Sequence, residues 1–177
     1  MKEAPDERPD RHRVFFALWP DDATRAAISR ATRDAVRLSG GRPIAKERLH
    51  VTIAFLGELT AAGLDVARGV PPIPVGPFEL TFDAVGVWPE SKILWLAPSM
   101  MPDALGELEA RLWTALVERG FRAEERVYRP HVTLARRARS VESVVEPVSF
   151  PVRDLALVES FPDGRNVHYE VLERWAL

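Results

Sequence analysis

Blocks of apolar residues along the chain, separated by polar stretches, predict short strands and a few amphipathic helices. The apolar run at 14–19 ends at a proline and predicts a buried strand. Asp21 then suits a helix N-terminus, and Gly40 suits its end. Between them, one apolar stripe has helical spacing: Ile28, Ala31, Ala35 and Leu38. A second strand is predicted over 49–57.

The rest of the chain continues this mixture of strands and helices. A short helix is predicted over 61–68, and the proline-rich connector at 71–77 is the best candidate for a lobe boundary. The helix after Asp103 has a leucine stripe and ends before Gly120. The stripe consists of Leu105, Leu108, Leu112 and Leu116. Strands are predicted at 78–88 and 93–97, joined by a turn at 89–92, and then at 129–137, 148–152, 154–160 and 166–175.

Two parts of the chain share the order strand, helix, strand, and each ends in the tripeptide His-Val-Thr. Val14 precedes His50 by 36 positions, and Ile93 precedes His131 by 38. The four histidines and seven threonines of the chain would give about 0.16 His-x-Thr matches by chance, whereas two are present. We interpret this as a degenerate duplication with units at about 14–57 and 93–137, whose equivalent strands meet at a common cleft.

Each motif lies on a predicted strand, where side chains two residues apart share a face. The apolar faces consist of Leu49, Val51, Ile53 and Phe55 in the first motif and of Val132 and Leu134 in the second. The opposite faces consist of His50, Thr52 and Ala54 and of His131, Thr133 and Ala135. Each strand is therefore expected to bury one face and to offer an imidazole and a hydroxyl on the other.

Composition narrows the possible chemistry. Hydrophobic residues make up 46% and charged residues 28% of the 177 residues, which is typical of a globular protein with a core. The sequence contains no cysteine, which excludes a disulfide scaffold, a thiolate zinc site and a cysteine nucleophile. No apolar run reaches the roughly 20 residues of a membrane helix, and residues 1–12 lack an apolar signal core. A cytoplasmic protein is expected.

Arginine is concentrated in one window of the chain. The net charge is −2, yet residues 119–139 carry seven arginines against two glutamates, a net charge of +5. This window is either a solvated surface strip or an anion site, because arginine presents a planar fork of donors to phosphate oxygens. Charge alone leaves both interpretations open.

Two His-Thr pairs suit acid–base chemistry at phosphorus. Histidine titrates near pH 6.5, so one imidazole can accept a proton while the other donates one. Threonine hydroxyls and arginine would stabilise the phosphate oxygens. The sequence has neither common glycine-rich phosphate loop, nor a Gly-x-Ser-x-Gly elbow, nor an evident cluster of metal ligands. We expect His12 to be solvated in a tail and His168 to be structural.

These motifs are the basis of a resemblance to a known family. The chain resembles the 2H phosphoesterase superfamily and, within it, the LigT-like RNA 2′,3′-cyclic phosphodiesterases. Beside the two motif strands, the similar segments are the opening Arg13-x-Phe15-Phe16-Ala17 and the ending Tyr169…Trp175-Ala176-Leu177. The resemblance implies a bilobal α+β fold, in which two pseudo-symmetric antiparallel-sheet lobes with outer helices surround a central cleft.

The resemblance also implies hydrolysis of a 2′,3′-cyclic phosphate end of RNA to a 2′-phosphate end, with no metal or cofactor. On the family's pattern, His50 is the general acid that protonates the departing 3′-oxygen, and His131 is the base that activates water. Thr52 and Thr133 hold the phosphate. Relatives also catalyse the reverse reaction, the joining of RNA ends through a 2′,5′ linkage.

Residues around the second motif are candidates for binding RNA. The family's pattern favours Arg136 as the phosphate-binding arginine, although strand alternation would place it on the buried face. Arg129 and Arg126 are candidates for the RNA backbone. Tyr128 either stacks on a terminal base or plugs the end of the strand into the core.

The expected organisation is one bilobal catalytic domain over 13–177, with interleaved lobes, after a flexible tail over 1–12. Its expected partner is RNA with a 2′,3′-cyclic phosphate terminus, such as a tRNA fragment. The protein is expected to be a monomer and not to associate with a membrane. Two other functions stay open. One is a 2H phosphodiesterase of a small cyclic nucleotide or a 2′,5′-oligonucleotide, and the other is a non-catalytic module that binds RNA ends.

Overall fold

The structure is a computed structural model that describes residues 11–163 and 166–177. The helices in these ranges are α1 (Asp22–Ala31), α2 (Arg33–Ser39), α3 (Ala61–Arg68) and α4 (Asp103–Val117). The strands are β1 (His12–Leu18), β2 (Arg42–Pro43), β3 (Val51–Leu59), β4 (Phe78–Phe82), β5 (Ala84–Trp88), β6 (Ile93–Ala97), β7 (Val132–Arg136), β8 (Val148–Val152), β9 (Asp154–Asp163) and β10 (Asn166–Ala176). A 3-10 turn, Lys46–Arg48, lies between β2 and β3.

The described strands form one large antiparallel sheet and one small one. The order in the large sheet is β10-β9-β1-β3-β7-β6-β5, with β2 beside β7, and β4 pairs with β8 in the small sheet. Within the large sheet, β3 and β7 are joined by a single residue pair, Val51 opposite Val132. This seam separates two lobes and places the two motif strands side by side.

Each predicted repeat unit has the same local arrangement. In one unit β1 and β3 are antiparallel neighbours connected through α1 and α2, and in the other β6 and β7 are antiparallel neighbours connected through α4. The strands β9 and β10 extend the first lobe beyond β1, so that lobe is built from both ends of the chain. The predicted α+β class with antiparallel sheets is confirmed.

Helix ends and the leucine stripe of α4 follow the local sequence. The Asp21 carboxylate accepts a hydrogen bond from the Thr24 backbone N–H at 2.7 Å, and Gly40 ends α2 in the left-handed region with a φ of 59°. All four leucines of the predicted stripe in α4 are completely buried. Burial of each such side chain stabilises the fold by about 1.5–3 kcal/mol, which secures α4 against the core.

The single helix expected before Gly40 is divided at Thr32. The Thr32 hydroxyl donates to the Ile28 carbonyl oxygen at 2.8 Å. A hydroxyl bonded to the carbonyl four residues earlier disturbs the helical ladder and bends the helix. Leu38, expected in the apolar stripe, is consequently 53% exposed on the second helical segment, which corrects the prediction.

The strand expected at 78–88 is divided at Asp83. Its carboxylate accepts hydrogen bonds from the Ser99 backbone N–H at 2.6 Å and from the Ser99 hydroxyl at 2.7 Å. These bonds hold the chain where it passes from β4 in the small sheet to β5 in the large one. The hairpin of β5 and β6, with its turn at 89–92, forms as predicted.

Most of the tail predicted at 1–12 lies outside the described residues, but His12 does not. This residue begins β1, and its Nδ1 lies 2.7 Å from Oε1 of the buried Glu159. The expectation of a solvated His12 is wrong, because the pairing of β1 with β3 extends as far as His12.

Candidate active site

The seam between the lobes brings the two motifs onto one face. Val51 and Val132 are paired across it, and both are fully buried. Because successive side chains on a strand point to opposite faces, the polar residues that flank these valines point away from the core. These four residues are His50, Thr52, His131 and Thr133, and each is partly exposed. Motifs far apart in the sequence therefore share one surface.

Both histidines make the same hydrogen bond. Nδ1 of His50 lies 2.6 Å from the carbonyl oxygen of Arg48, and Nδ1 of His131 lies 2.8 Å from that of Arg129. A carbonyl oxygen only accepts, so each Nδ1 carries a proton and donates it. Among the described residues, neither Nε2 has a hydrogen-bond partner. In both rings Nε2 is thus the atom that can exchange a proton with a ligand.

Aromatic rings enclose His50. Phe15 and Trp19 are stacked on it with ring centroids 4.9 and 5.4 Å away, and Tyr169 lies perpendicular to it at 5.4 Å. Burial lowers the pKa of His50 to about 4, and neighbouring positive charges act in the same direction. The His50 ring is therefore neutral at pH 7.

His131 has one aromatic neighbour among the described residues. The Trp88 ring meets it edge-on with centroids 4.5 Å apart. Burial lowers the pKa of His131 as well, and a charge on His131 opposes protonation of His50. The two rings consequently resist carrying a proton at the same time, which suits a pair in which one accepts and the other donates.

A β-bulge follows each motif and changes the direction of a later side chain. The register of β3 against β1 skips Ile53, and the register of β7 against β6 skips Leu134. An extra residue in one strand reverses the alternation beyond it. Phe55 and Arg136, which unbroken alternation assigns to the buried face, therefore line the cleft together with the motif residues. This corrects the expected position of Phe55, which is 37% exposed.

Three of the four motif residues, His50, Thr52 and Thr133, open onto a cavity of about 170 Å³ lined by both lobes. Among the described residues that line it there is no aspartate or glutamate, so its charge is positive. Three arginines line the cavity, Arg13, Arg48 and Arg136. The motif residues in the lining are His50, Thr52 and Thr133. His131 is not one of the lining residues, and Thr133, on the same face of the second motif, connects it to the cavity.

Comparison with known proteins bears directly on this cleft. Residues 20–161 match the family model described as the 2′-5′ RNA ligase superfamily. The chain belongs to this superfamily. The match spans both His-Val-Thr motifs and the two strands that hold them, whereas Arg13, Phe15 and Tyr169 of the cleft lie outside the matched residues.

Relatives of this superfamily member are similar over most of its length. The RNA 2′,3′-cyclic phosphodiesterase of Escherichia coli K12 is 33% identical over 172 residues, which cover 93% of this chain and 96% of the relative. The protein of that name from Thermus thermophilus is 29% identical over 183 residues, covering 93% and 90%. The crystal structure of E. coli LigT in apo form has a TM-score of 0.84 at 29% identity, covering 95% and 98%. The predicted 2H phosphoesterase membership and LigT-like fold are confirmed.

Tyr128 packs into the core of this superfamily member. Its hydroxyl donates to the carbonyl oxygen of Thr52 at 3.2 Å, and its ring contacts the main hydrophobic cluster. Burial raises the pKa of the hydroxyl. The contacts favour the packing role over base stacking, because Tyr128 fastens the segment before the second motif to the strand of the first.

The basic window divides between the cleft and the surface. Arg136 lines the cleft. Arg126 is exposed and lies 3.7 Å from the Glu124 carboxylate, and the Arg129 side chain is exposed while its carbonyl oxygen holds His131. The RNA-binding roles of Arg126 and Arg129 stay predictions, and neither residue lines the cavity.

Two arginines at the cleft, Arg13 and Arg48, are not among the predicted site residues. Cζ of Arg13 lies 5.0 Å from the ring centroid of Phe55, and Cζ of Arg48 lies 5.3 Å from that of Tyr169. Nε of Arg48 is buried without a hydrogen-bond partner among the described residues. Arg13 belongs to the opening segment that resembles the family, and that resemblance was a signal for it. No local pattern indicates Arg48, because its place at the cleft depends on the 3-10 turn at Lys46–Arg48.

Within residues 11–163 and 166–177, no three side chains of histidine, aspartate or glutamate form a group that could hold a metal ion. The same part of the chain contains no helix of the length and apolarity needed to cross a membrane. The chemistry available in the cleft is that of imidazole, hydroxyl and guanidinium groups.

Proposed function

We propose that this protein is a phosphodiesterase that hydrolyses 2′,3′-cyclic phosphate ends of RNA to 2′-phosphate ends. His50 and His131 act as acid and base, and the reaction requires no metal ion. The names of the relatives support the substrate. The observation that carries the proposal is the matched orientation of the imidazoles, since each donates its Nδ1 proton to a carbonyl oxygen and keeps Nε2 available beside a threonine.

The proposed reaction transfers two protons. Water attacks the phosphorus atom while Nε2 of His131 accepts a proton from it. The bond between phosphorus and the 3′-oxygen breaks while Nε2 of His50 donates a proton to that oxygen, and the phosphate stays on the 2′-oxygen. His131 ends protonated and His50 neutral, so one proton passes through solvent before the next turnover. The assignment of acid and base follows the family's pattern.

The negative charge of a bound phosphate favours the protonated form of His50, which is the form that acts as the acid. Burial holds the pKa of His50 near 4, so this ring is neutral at pH 7 before substrate binds. A phosphate anion beside the ring favours imidazolium and raises the pKa of His50. Substrate binding and loading of the acid are thereby coupled, and bulk water has little access to the loaded acid.

Hydroxyl and guanidinium groups stabilise the phosphate oxygens in this proposal. Thr52 and Thr133 donate to non-bridging oxygens, and Arg136 neutralises their charge. Arg48 is a further candidate, because a phosphate oxygen would give its buried Nε the partner that the described residues do not provide.

The test is turnover of a short oligoribonucleotide with a 2′,3′-cyclic phosphate end. We expect a 2′-phosphate product, activity that persists in excess EDTA, and losses of roughly 10²–10⁴-fold in His50→Ala and His131→Ala. His168→Ala is the matched control, because this exposed histidine on β10 does not line the cavity. Near-wild-type rates in either motif variant contradict the mechanism. Loss in EDTA that one divalent ion restores indicates metal-assisted chemistry instead.

The same assay separates the other candidate functions. An enzyme for small substrates turns over a cyclic mononucleotide or a 2′,5′-linked dinucleotide but not the oligonucleotide, and a binding module binds the RNA end without turnover. We further propose that the natural substrate is a tRNA fragment and that the protein acts as a monomer in the cytoplasm.

A further inference from the structure

Arg25 is an arginine of α1 that is buried without a full set of partners. The residue is 7% exposed, its Nε lies 3.4 Å from the Leu49 carbonyl oxygen, and its Nη1 lies 3.6 Å from the Asp22 carboxylate. Nη2 is buried and has no hydrogen-bond partner among the described residues. The Asp22 side chain is 93% exposed, so water weakens this ion pair. Asp21 and Glu47 also attract the guanidinium, but neither forms an ion pair with it.

Such an arrangement destabilises the fold. A buried donor without a partner loses its hydrogen bonds to water and gains none in exchange, and a charge loses solvation as well. Burial accordingly lowers the pKa of Arg25. An apolar side chain of similar length would avoid both losses but would give up the cation–π contact with Trp19 and the hydrogen bond to the Leu49 carbonyl oxygen. These two contacts are what arginine provides at this position.

Arg25 reaches His50 through one aromatic ring and one peptide group. Its Cζ lies 5.0 Å from the ring centroid of Trp19, and the Trp19 ring is stacked on His50 at 5.4 Å with 24° between the planes. The carbonyl that accepts from Nε belongs to Leu49, the residue immediately before His50. Arg25 therefore contacts both the ring that packs on His50 and the backbone that carries it.

We propose that Arg25 is a positioning residue for His50, which holds Trp19 and the Leu49 carbonyl so that the imidazole keeps Nε2 directed to the cleft. The proposal rests on the acid–base function proposed above for His50. Only His50 has such an arginine-backed tryptophan among the described residues. At His131 the Trp88 ring lies edge-on, and no guanidinium of the described residues stacks on Trp88. The two histidines share a hydrogen-bond pattern but differ in what holds them.

The charge of Arg25 also affects protonation of His50. His131, Arg25 of α1 and Arg48 of the 3-10 turn interact electrostatically with this ring, and Tyr169 of β10 packs perpendicular to it. Arg13 and Arg136 line the same cavity. Arg25 and Arg48 both lower the pKa of His50. At a separation of about 10 Å across the indole, removal of one charge raises the pKa of His50 by about 0.3–1 unit, depending on the local dielectric constant.

Titration of the histidine rings by NMR in Arg25→Met and Arg25→Lys tests this inference without substrate. In Arg25→Met we expect the pKa of His50 to rise by about 0.3–1 unit while that of His131 stays at its wild-type value. Arg25→Lys keeps the charge but not the planar group that packs on Trp19 and donates to Leu49, so its His50 titration stays near wild type while its turnover falls as it does in Arg25→Met. Wild-type turnover in Arg25→Lys contradicts the positioning role. Arg153→Met is the matched control. Arg153 is exposed and lines a second cavity together with Arg25, and its replacement is expected to leave both titrations unchanged.

The turnover assay adds a second measurement. In Arg25→Met, one limb of the pH–rate profile is expected to move to higher pH by the same amount as the titration, and the other limb to stay. An unchanged His50 titration overturns the inference. An equal shift of the His131 pKa also overturns it, because it indicates a change in packing that affects both histidines. Arg25→Gln replaces Arg25→Met if the latter does not fold. If His50 shifts as expected but wild-type protein does not turn over the oligonucleotide, the proposed reaction fails while the influence of Arg25 on His50 stands.

Discussion

The burial of His50 predicts that the fold is sensitive to acid in a defined pH window. This ring titrates near pH 6.5 in an unfolded chain, whereas burial lowers its pKa to about 4 in the folded protein. Above pH 6.5 the ring is neutral in both states, and the full stability is present. Below pH 6.5 the unfolded chain takes up a proton first, so the free energy of unfolding decreases until the folded state is also protonated near pH 4.

The magnitude follows from the difference between the two pKa values. Each unit corresponds to about 1.4 kcal/mol, so the whole window is worth about 3 kcal/mol at most, and partial exposure of the ring reduces this to roughly 2–3 kcal/mol. Domains of this size are commonly stable by about 5–15 kcal/mol. The change at this one histidine is therefore a sizeable fraction of the total stability of such a domain.

Denaturant unfolding of wild type and His50→Asn between about pH 7.5 and 4.5 measures this effect. Asparagine keeps a donor for the Arg48 carbonyl oxygen but does not titrate. Below pH 6.5, wild type is expected to lose up to about 1.4 kcal/mol per pH unit more than the variant. His168→Asn, at an exposed position, is expected to follow wild type. The buffer contains no phosphate, because the proposed function predicts that phosphate binds the cleft and so stabilises the folded state. Parallel acid dependence of wild type and His50→Asn refutes the reasoning.

Three further predictions concern the cleft and its support. Arg136→Ala is expected to weaken binding to all RNA sequences alike and to reduce the salt slope of log affinity by about 1, whereas the control Arg153→Ala, at an exposed position that does not line the cavity, keeps the wild-type slope. A wild-type slope in both Arg136→Ala and Arg129→Ala would assign the basic window to the solvated surface. Tyr128→Phe, in which the Thr52 carbonyl oxygen loses its donor, is expected to lose about 1 kcal/mol of unfolding free energy; unchanged stability would contradict the packing role. Gly86→Ala would place Cβ 2.4 Å from the Trp95 ring, so a loss of about 1–3 kcal/mol is expected in thermal unfolding, and wild-type stability would contradict this.

Elements that depend on neighbouring residues follow from the sequence with little error. The helix over 61–68 has the predicted bounds, and the leucine stripe of α4 is buried throughout. The hairpin of β5 and β6 forms at its predicted turn. Helical and strand periods, capping residues and turn residues act over a few positions, so the local sequence contains the information that these elements need.

Side-chain directions beyond each motif depend on the neighbouring strand. The bulges at Ile53 and Leu134 exist only as register shifts against β1 and β6, and they direct Phe55 and Arg136 into the cleft. The division at Asp83 likewise depends on Ser99, which is distant in the sequence. Alternation within one strand cannot include a residue that its partner strand skips.

That two matched strands each present a histidine and a threonine follows from the amino-acid sequence alone, because the duplicated tripeptide and the alternation of a strand are local properties. The difference between the two imidazoles arises only in the folded chain. Aromatic rings from β1 and β10 bury His50, Arg25 of α1 supports it through Trp19, and Arg48 reaches the cleft from a 3-10 turn. Burial, charge and proton affinity depend on all atoms that surround a group, and most of those atoms belong to residues that are distant along the chain.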